Sequence, residues 1–355
     1  MMTDPATFTV NFNLEITAGC GYNCLGCTVD KNGANTQLEP ELGDLLPLLE
    51  DIRSKGWRTL ELKVGPTDLT TAENGFTILD DPVFGKIVSY FNLISINLAM
   101  LNDHGLKRLA DKLEELIPGK YLMVGTPVTL KNMLNKKYMT QLRERFARFK
   151  GMLKTITFTR IYMTINVDSD SIRQFSDETF DAISDSNLTE FDSVEFVFTD
   201  VRRGFDNLMV AEQFKRVTRQ FSSFVLDREK RVAGSHVFTR LVPRPQEGFE
   251  FTYRTGDLYT TITMVETLTI FDDKYKLPKP WTFESLIDFR ENQYADTLIK
   301  YSGHPECGDC CYLDNCSRNN IPTLMEEASS DRCLFDIKNR WEPACHLENP
   351  ERNIT

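Results

Sequence analysis

Three cysteines, Cys20, Cys24 and Cys27, stand at C-x3-C-x2-C spacing directly after an alternating apolar run over residues 8–16. Period-two alternation is the mark of a β-strand that buries one face. Phe8, Val10, Phe12, Leu14 and Ile16 supply it, so the chain predicts a strand that runs into a thiol-bearing loop. Gly19, Gly21, Asn23 and Gly26 let that loop fold tightly. Thiolates are soft ligands that suit zinc or iron–sulfur clusters. Three of them are one short of a closed site. A [4Fe–4S] cluster held by three cysteines leaves one iron open to a ligand that is not protein, a strange demand for a structural site and a natural one for a catalytic site. A zinc loop or a buried cysteine cluster is the plainer alternative.

Downstream, strand and helix patterns alternate. Strands are expected at 59–64, 93–101, 121–124, 156–167 and 194–201. Helices are expected at 42–55, 81–91, 105–116, 135–153, 177–186 and 208–231. Asp81-Pro82 opens one of these helices and Asn102-Asp103 caps another. Six strands alternating with helices predict a parallel α/β sheet with crossover helices. In barrels of such units, function gathers at the carboxyl ends of the strands. Those ends fall at 20–27, 65–68, 101–102, 126–129, 166–168 and 200–203.

A first strand followed at once by C-x3-C-x2-C resembles the radical S-adenosylmethionine (radical SAM) superfamily. The resemblance implies a partial (βα)6 TIM-like barrel over residues 1–235. It also implies a [4Fe–4S] cluster on Cys20, Cys24 and Cys27 whose open iron chelates S-adenosylmethionine. Reductive cleavage of that cofactor to a 5′-deoxyadenosyl radical and hydrogen abstraction from substrate would follow. The family usually has an aromatic residue before the third cysteine, where this chain has Gly26; Tyr22 is the candidate to fill the space, or the backbone at Gly26 approaches the ligand. The turn after strand two corresponds to the family's Gly-Gly-Glu-Pro-like stretch that holds the amino group of the cofactor. Here it reads Gly65-Pro66-Thr67-Asp68, with Thr67 or Asp68 in place of the glutamate. Asn166, at the end of strand five, stands where members hold the ribose or the methionine carboxylate. For each of these positions an ordinary turn or cap role is the alternative.

A second cysteine group, Cys307, Cys310, Cys311 and Cys316, follows a segment of different character, with Cys333 and Cys345 beyond it. Residues 260–271 alternate, 272–274 read as a turn, and 275–277 complete a hairpin; a helix is expected from 283 to about 301. Hairpin, helix and the C-x2-C-x5-C run resemble the SPASM/twitch extension of the same superfamily. This implies a small C-terminal α+β domain, 236–355, holding one auxiliary [4Fe–4S] cluster on Cys307, Cys310, Cys316 and Cys333. The second cluster of the full pattern is not expected: residues 236–306 contain no cysteine, and Asn320 stands where a later one is needed. Cys311 and Cys345 are spare, and Cys345 is the candidate to replace Cys333. A four-cysteine zinc site is the alternative.

Charge narrows the partners. Lys+Arg 41 against Asp+Glu 52 gives a net charge of −11, which disfavours a generally basic surface for coating nucleic acid. The basic residues of 136–154 form a local exception, read first as a solvated face and second as a docking face for an anion. No apolar run is long enough to span a membrane and no signal peptide is evident, and thiols grouped for metal point to a reducing cytoplasm. The resemblance implies a radical SAM modification or rearrangement of an amino-acid-bearing substrate, a peptide side chain or small molecule. A reductant such as flavodoxin or ferredoxin would serve it. An amino-acid-decorated nucleobase, as in phage-type DNA hypermodification, is the alternative that brings in nucleic acid. A zinc-stapled binding module without redox chemistry is the third reading.

Overall fold

Alternation in parallel strands carries a structural consequence: one face of the sheet goes under helices and the other is lined by polar groups. The computed structural model describes residues 9–19, 42–99, 102–167, 193–198, 236–237, 248–260, 273–289 and 291–292. It realises this expectation in a nine-stranded sheet of order β7-β6-β5-β4-β3-β2-β1-β8-β9. The strands are β1 (Thr9–Glu15), β2 (Arg58–Gly65), β3 (Leu93–Asn97), β4 (Tyr121–Thr129), β5 (Thr157–Val167), β6 (Ser193–Phe198), β7 (His236–Val237), β8 (Gly248–Arg254) and β9 (Asp257–Thr260). Neighbours from β1 through β7 pair in parallel. Such pairs need crossovers, and the described ones are helical: α1 (Leu45–Ser54), α2 (Gly75–Leu79), α3 (Pro82–Ser89), α4 (Asp103–Leu116), α5 (Leu130–Met133) and α6 (Lys136–Met152). The expected helices 177–186 and 208–231 lie outside the described residues. The six expected strands are thus present as parallel neighbours, and among the described residues they alternate with helices from β1 to β5.

The helices start where their caps place them. The Asp81 carboxylate accepts from Val83 N at 2.7 Å, with Pro82 at the first helical position of α3. Asn102 accepts from Gly105 N to open α4, and Asn135 from Tyr138 N to open α6. Asp81→Ala orphans one of the first N–H groups of α3 and is expected to lower stability by about 1 kcal/mol, read as a shift in the urea midpoint at unchanged slope.

One face of the sheet makes the core. Val10, Phe12, Leu14, Leu62, Val64, Ile94, Ile96, Leu122 and Val124 pack against buried residues of the helices, among them Leu48 and Ile52 of α1, Ile87 of α3, Leu109 of α4 and Phe146 of α6. Phe12 anchors the centre, edge-on to Phe91 at 5.9 Å and tilted against Phe251 at 6.0 Å. The alternate positions carry polar groups. Asn13 of β1 donates to Glu250 Oε1 at 2.8 Å and to Thr252 Oγ1 at 3.2 Å, both on β8. Lys63 of β2 reaches the same Glu250 oxygen at 3.1 Å. Ser95 of β3 donates to Glu61 of β2. A row of paired polar groups therefore crosses four adjacent strands on the face away from the helices.

The structure departs from the sequence expectation in three places. Strand four continues past residue 124 to Thr129, through Gly125 and Pro127. Its pairing with β3 ends at Asn97↔Gly125, so Pro127 faces no ladder on that side and its missing N–H is tolerated. Strand three stops at Asn97, short of 101. Third, a strand pair that the pattern did not announce, β8 and β9, joins the sheet. It is closed by Thr255-Gly256, both at positive φ (48° and 76°), the requirement of a type I′ hairpin turn. β8 lies parallel to β1, pairing Thr9↔Gly248 through Leu14↔Tyr253, so residues 248–260 extend the same sheet. The expected run 275–277 does lie antiparallel beside β9, by the Tyr259↔Lys276 bridge and the bond from Leu277 N to Leu258 O at 2.8 Å. Most of the expected strand 260–271 is outside the described residues.

The segment that follows returns to α1. Trp281 stands edge-on to Tyr253 at 6.2 Å, and Phe283 against Trp57 at 4.9 Å. Phe283 N donates to the Asp51 carboxylate, and Lys279 and Glu284 pair with Asp44 and Lys55. The exposed ion pairs contribute little; the buried rings hold residues 273–289 to the core.

Candidate functional site

The carboxyl ends of β1 and β2 meet through their connecting turns. Ile16 N and Thr17 N both donate to Gly65 O, at 3.0 and 3.3 Å. Thr67 N donates to Thr17 Oγ1 at 3.1 Å. Ala18 is bound on both sides of its peptide: its N–H donates to Asn74 Oδ1 at 2.6 Å, and its carbonyl accepts from Glu73 N at 2.8 Å. Asn74 Nδ2 donates in turn to Ile16 O at 2.8 Å. Gly19 then turns the chain at φ +65°, a conformation that favours glycine, and a Cβ there would meet Glu73 Cγ at 2.6 Å. The next residue is Cys20. The approach to the cysteine loop is therefore tied backbone-to-backbone and side chain-to-backbone into the turn after β2.

That turn is organised by Asp68, 6% exposed. One carboxylate oxygen accepts from Thr70 N at 2.8 Å and Thr70 Oγ1 at 2.6 Å, and the other from Ala99 N at 2.7 Å, just beyond β3. Asp68 thus cross-links the ends of β2 and β3. Burial pushes its carboxyl above the ordinary value, and the hydrogen bonds from Thr70 and Ala99 pull it part of the way back. Thr67 is different: it is 4% exposed and its hydroxyl has no hydrogen-bond partner among the described residues. A buried hydroxyl left unpaired costs about 1–3 kcal/mol, so this one sits where a bound group could satisfy it. Gly65 ends β2, and a Cβ there would make only ordinary 3.6 Å contacts with Asn97 Nδ2 and Thr67 N. Nothing among the described residues crowds it.

Of the residues singled out in the sequence, the structure brings Gly65, Thr67 and Asp68 together at the end of β2, against the strand that leads to Cys20. Asn166 lies two strands away from β3, near the carboxyl end of β5, in register with Thr129 and Val197. Tyr22, Gly26, Cys20, Cys24, Cys27, Cys307, Cys310, Cys316 and Cys333 lie outside the described residues, as do Cys311 and Cys345. Thr17, Thr70, Glu73, Asn74 and Ala99 were not anticipated. Asn74 before Gly75 has only the signature of a helix cap, and no single-sequence signal joins it to residue 18, 56 positions away.

No family model matches the chain, and no curated protein matches it. Among solved structures the chain is similar to histidine-tagged anSMEcpe with bound AdoMet, at a TM-score of 0.58 and 11% identity, covering 98% of each chain. At that identity the likeness is one of fold. Among the described residues no helix is long and apolar enough to cross a membrane.

Proposed function

We propose that this chain is a radical SAM enzyme. The observation that carries the reading is the position of C-x3-C-x2-C. The loop begins one residue after Gly19, at the carboxyl end of β1 in a parallel α/β sheet and beside the buried turn after β2. The fold shared with anSMEcpe, which has AdoMet bound, supports it. The donor set fits the cofactors: three thiolates suit an iron–sulfur cluster with one open iron, and the unpaired, buried Thr67 hydroxyl offers a polar contact for a ligand beside it. When bound, the cluster and S-adenosylmethionine would supply one-electron cleavage of the cofactor and hydrogen-atom abstraction, chemistry that no side chain of the protein provides.

The chain's own part is to bind, orient and exclude water. Cys20, Cys24 and Cys27 hold the cluster. Gly65 and Thr67 receive the cofactor, with Tyr22 and Gly26 on the cysteine loop and Asn166 at β5 as the further contacts. Asp68 holds the turn in place, its two oxygens occupied by Thr70 and Ala99. The sheet, on this reading, curves as a partial (βα)6 barrel over residues 1–235. The segment 236–355 carries one auxiliary [4Fe–4S] cluster on Cys307, Cys310, Cys316 and Cys333. The substrate is an amino-acid-bearing molecule, the electron donor is a flavodoxin or ferredoxin, and the setting is the reducing cytoplasm that keeps such thiols free of disulfides.

The test is anaerobic purification with iron and sulfide quantitation, followed by S-adenosylmethionine and dithionite. About eight irons per chain and formation of 5′-deoxyadenosine are expected from two thiolate-held clusters. Colourless protein with stoichiometric zinc and no cofactor cleavage would overturn the proposal in favour of a zinc-stapled binding module.

A further inference from the structure

The bonds around residues 16–18 form a device that the ordinary strand ladder does not supply. β1 ends at Glu15, and its pairing with β8 ends at Leu14↔Tyr253. Beyond that point the Asn74 side chain takes over as a partner. Its oxygen accepts from Ala18 N and its nitrogen donates to Ile16 O, the same donor–acceptor pair that a neighbouring strand would offer to residues i and i+2. The carboxamide presents the acceptor and the donor side by side at every pH. Asn74 stands at the N-cap position of α2, yet its side chain makes no cap bond. α2 spans five residues, and the Asn74 side chain is engaged with the strand rather than with this short helix. The loop that carries Asn74 is tightly closed: Gly75 leaves no room for a Cβ against the Leu69 carbonyl.

We infer that Asn74 is a positioning residue for the cysteine loop, clamping the backbone of Ile16 and Ala18 in the segment that leads through Gly19 to it. This rests on the reading of that loop as a cluster holder. Supporting groups matter at metal sites because ligand geometry must be held to within about 0.5 Å, and loss of such a partner typically costs about 10–100-fold in affinity. A residue that only stabilised the fold would shift the unfolding midpoint and leave metal binding at lower temperature unchanged.

The experiment uses the full-length chain and its Asn74→Ala and Asn74→Asp variants. Hydrogen exchange of the Ala18 amide in the metal-free protein reports the clamp itself. In reconstituted protein, iron loss to a chelator and the change in the reduced-cluster EPR signal on adding S-adenosylmethionine report its effect on the site. For Asn74→Ala we expect fast Ala18 exchange, iron stripped about 10–100-fold faster, and a weakened cofactor-dependent EPR change at concentrations that saturate the wild type. Asn74→Asp keeps the acceptor for Ala18 N and loses the donor to Ile16 O, so it is expected to fall between, and it decides the matter if the alanine variant does not fold. Wild-type iron retention and EPR response in a variant whose Ala18 amide exchanges fast would overturn the inference. A protected Ala18 amide in a wild-type chain that takes up no iron would remove the cluster reading, and the positioning role with it, while leaving the clamp as a fact of the fold.

Discussion

Asp68→Leu is expected to destabilise the protein by about 3–5 kcal/mol, because it leaves buried donors unmatched at the junction of two strands. Thr70 N, Thr70 Oγ1 and Ala99 N all point at the Asp68 carboxylate, and both Thr70 and Ala99 are buried. Leucine fills a similar volume and accepts nothing. Asp68→Asn separates charge from shape: one oxygen remains, so either Ala99 or Thr70 loses its acceptor, and a smaller loss of about 1–2 kcal/mol follows. Urea unfolding of the three proteins under anaerobic conditions reads both values. An Asp68→Leu protein within about 1 kcal/mol of wild type would mean that the turn relaxes to satisfy its own donors.

The same residue gives a pH dependence with a definite sign. Burial holds the folded-state pKa of Asp68 above its ordinary value of 3.8. Between 3.8 and that raised value the folded chain binds more protons than the unfolded one. The proton-linked part of the Asp68 contribution is therefore fully present below 3.8 and declines as the pH rises through the raised value. Asp68→Asn has no such titration. The stability difference between wild type and Asp68→Asn should shift against the wild type across that window, and a difference flat with pH would show that the carboxyl is not raised.

Replacing Cys24, or either of Cys20 and Cys27, by alanine is expected to abolish 5′-deoxyadenosine formation. The loss should exceed the roughly 10–100-fold typical of groups that merely support a ligand, because a three-thiolate site has no spare donor. Iron should fall by about four per chain, with about four retained at the C-terminal cysteines. The iron count separates ligand loss from unfolding: a misfolded chain would lose both clusters. Cofactor cleavage at wild-type rate in all three variants would place the chemistry elsewhere and overturn the proposed function.

Local signals carried much of the fold. Period-two alternation placed β1, since side-chain direction along a strand follows from backbone geometry alone, and the helices expected at 42–55, 105–116 and 135–153 correspond to α1, α4 and α6. Asp81 and Asn102 marked helix starts because an N-cap bond reaches only two or three residues forward; Asn135, read as the first residue of a helix, is the cap of α6. The approximate place of the candidate site, at the ends of strands one and two, followed from the same alternation. The proposed chemistry rests on the cysteine spacing, which is a property of the sequence alone.

What the sequence could not decide depends on contacts between distant residues. The pattern of 248–260 does not say that β8 will lie against β1, because backbone ladders are blind to which strand supplies the partner; the choice was settled by burying Phe251 and Tyr253 against Phe12 and Trp281, and by Asn13, Lys63 and Glu250 pairing across three strands. Asp68 reads in sequence as a substitute for a ligand-binding glutamate, and only the folded chain brings Ala99 N to its second oxygen. Asn74 reads as a helix cap, and only the arrival of residues 16–18 turns its carboxamide into a clamp. Hydrophobic periodicity is written along the chain, whereas the partner of a polar group is chosen by whatever the fold places within hydrogen-bonding reach.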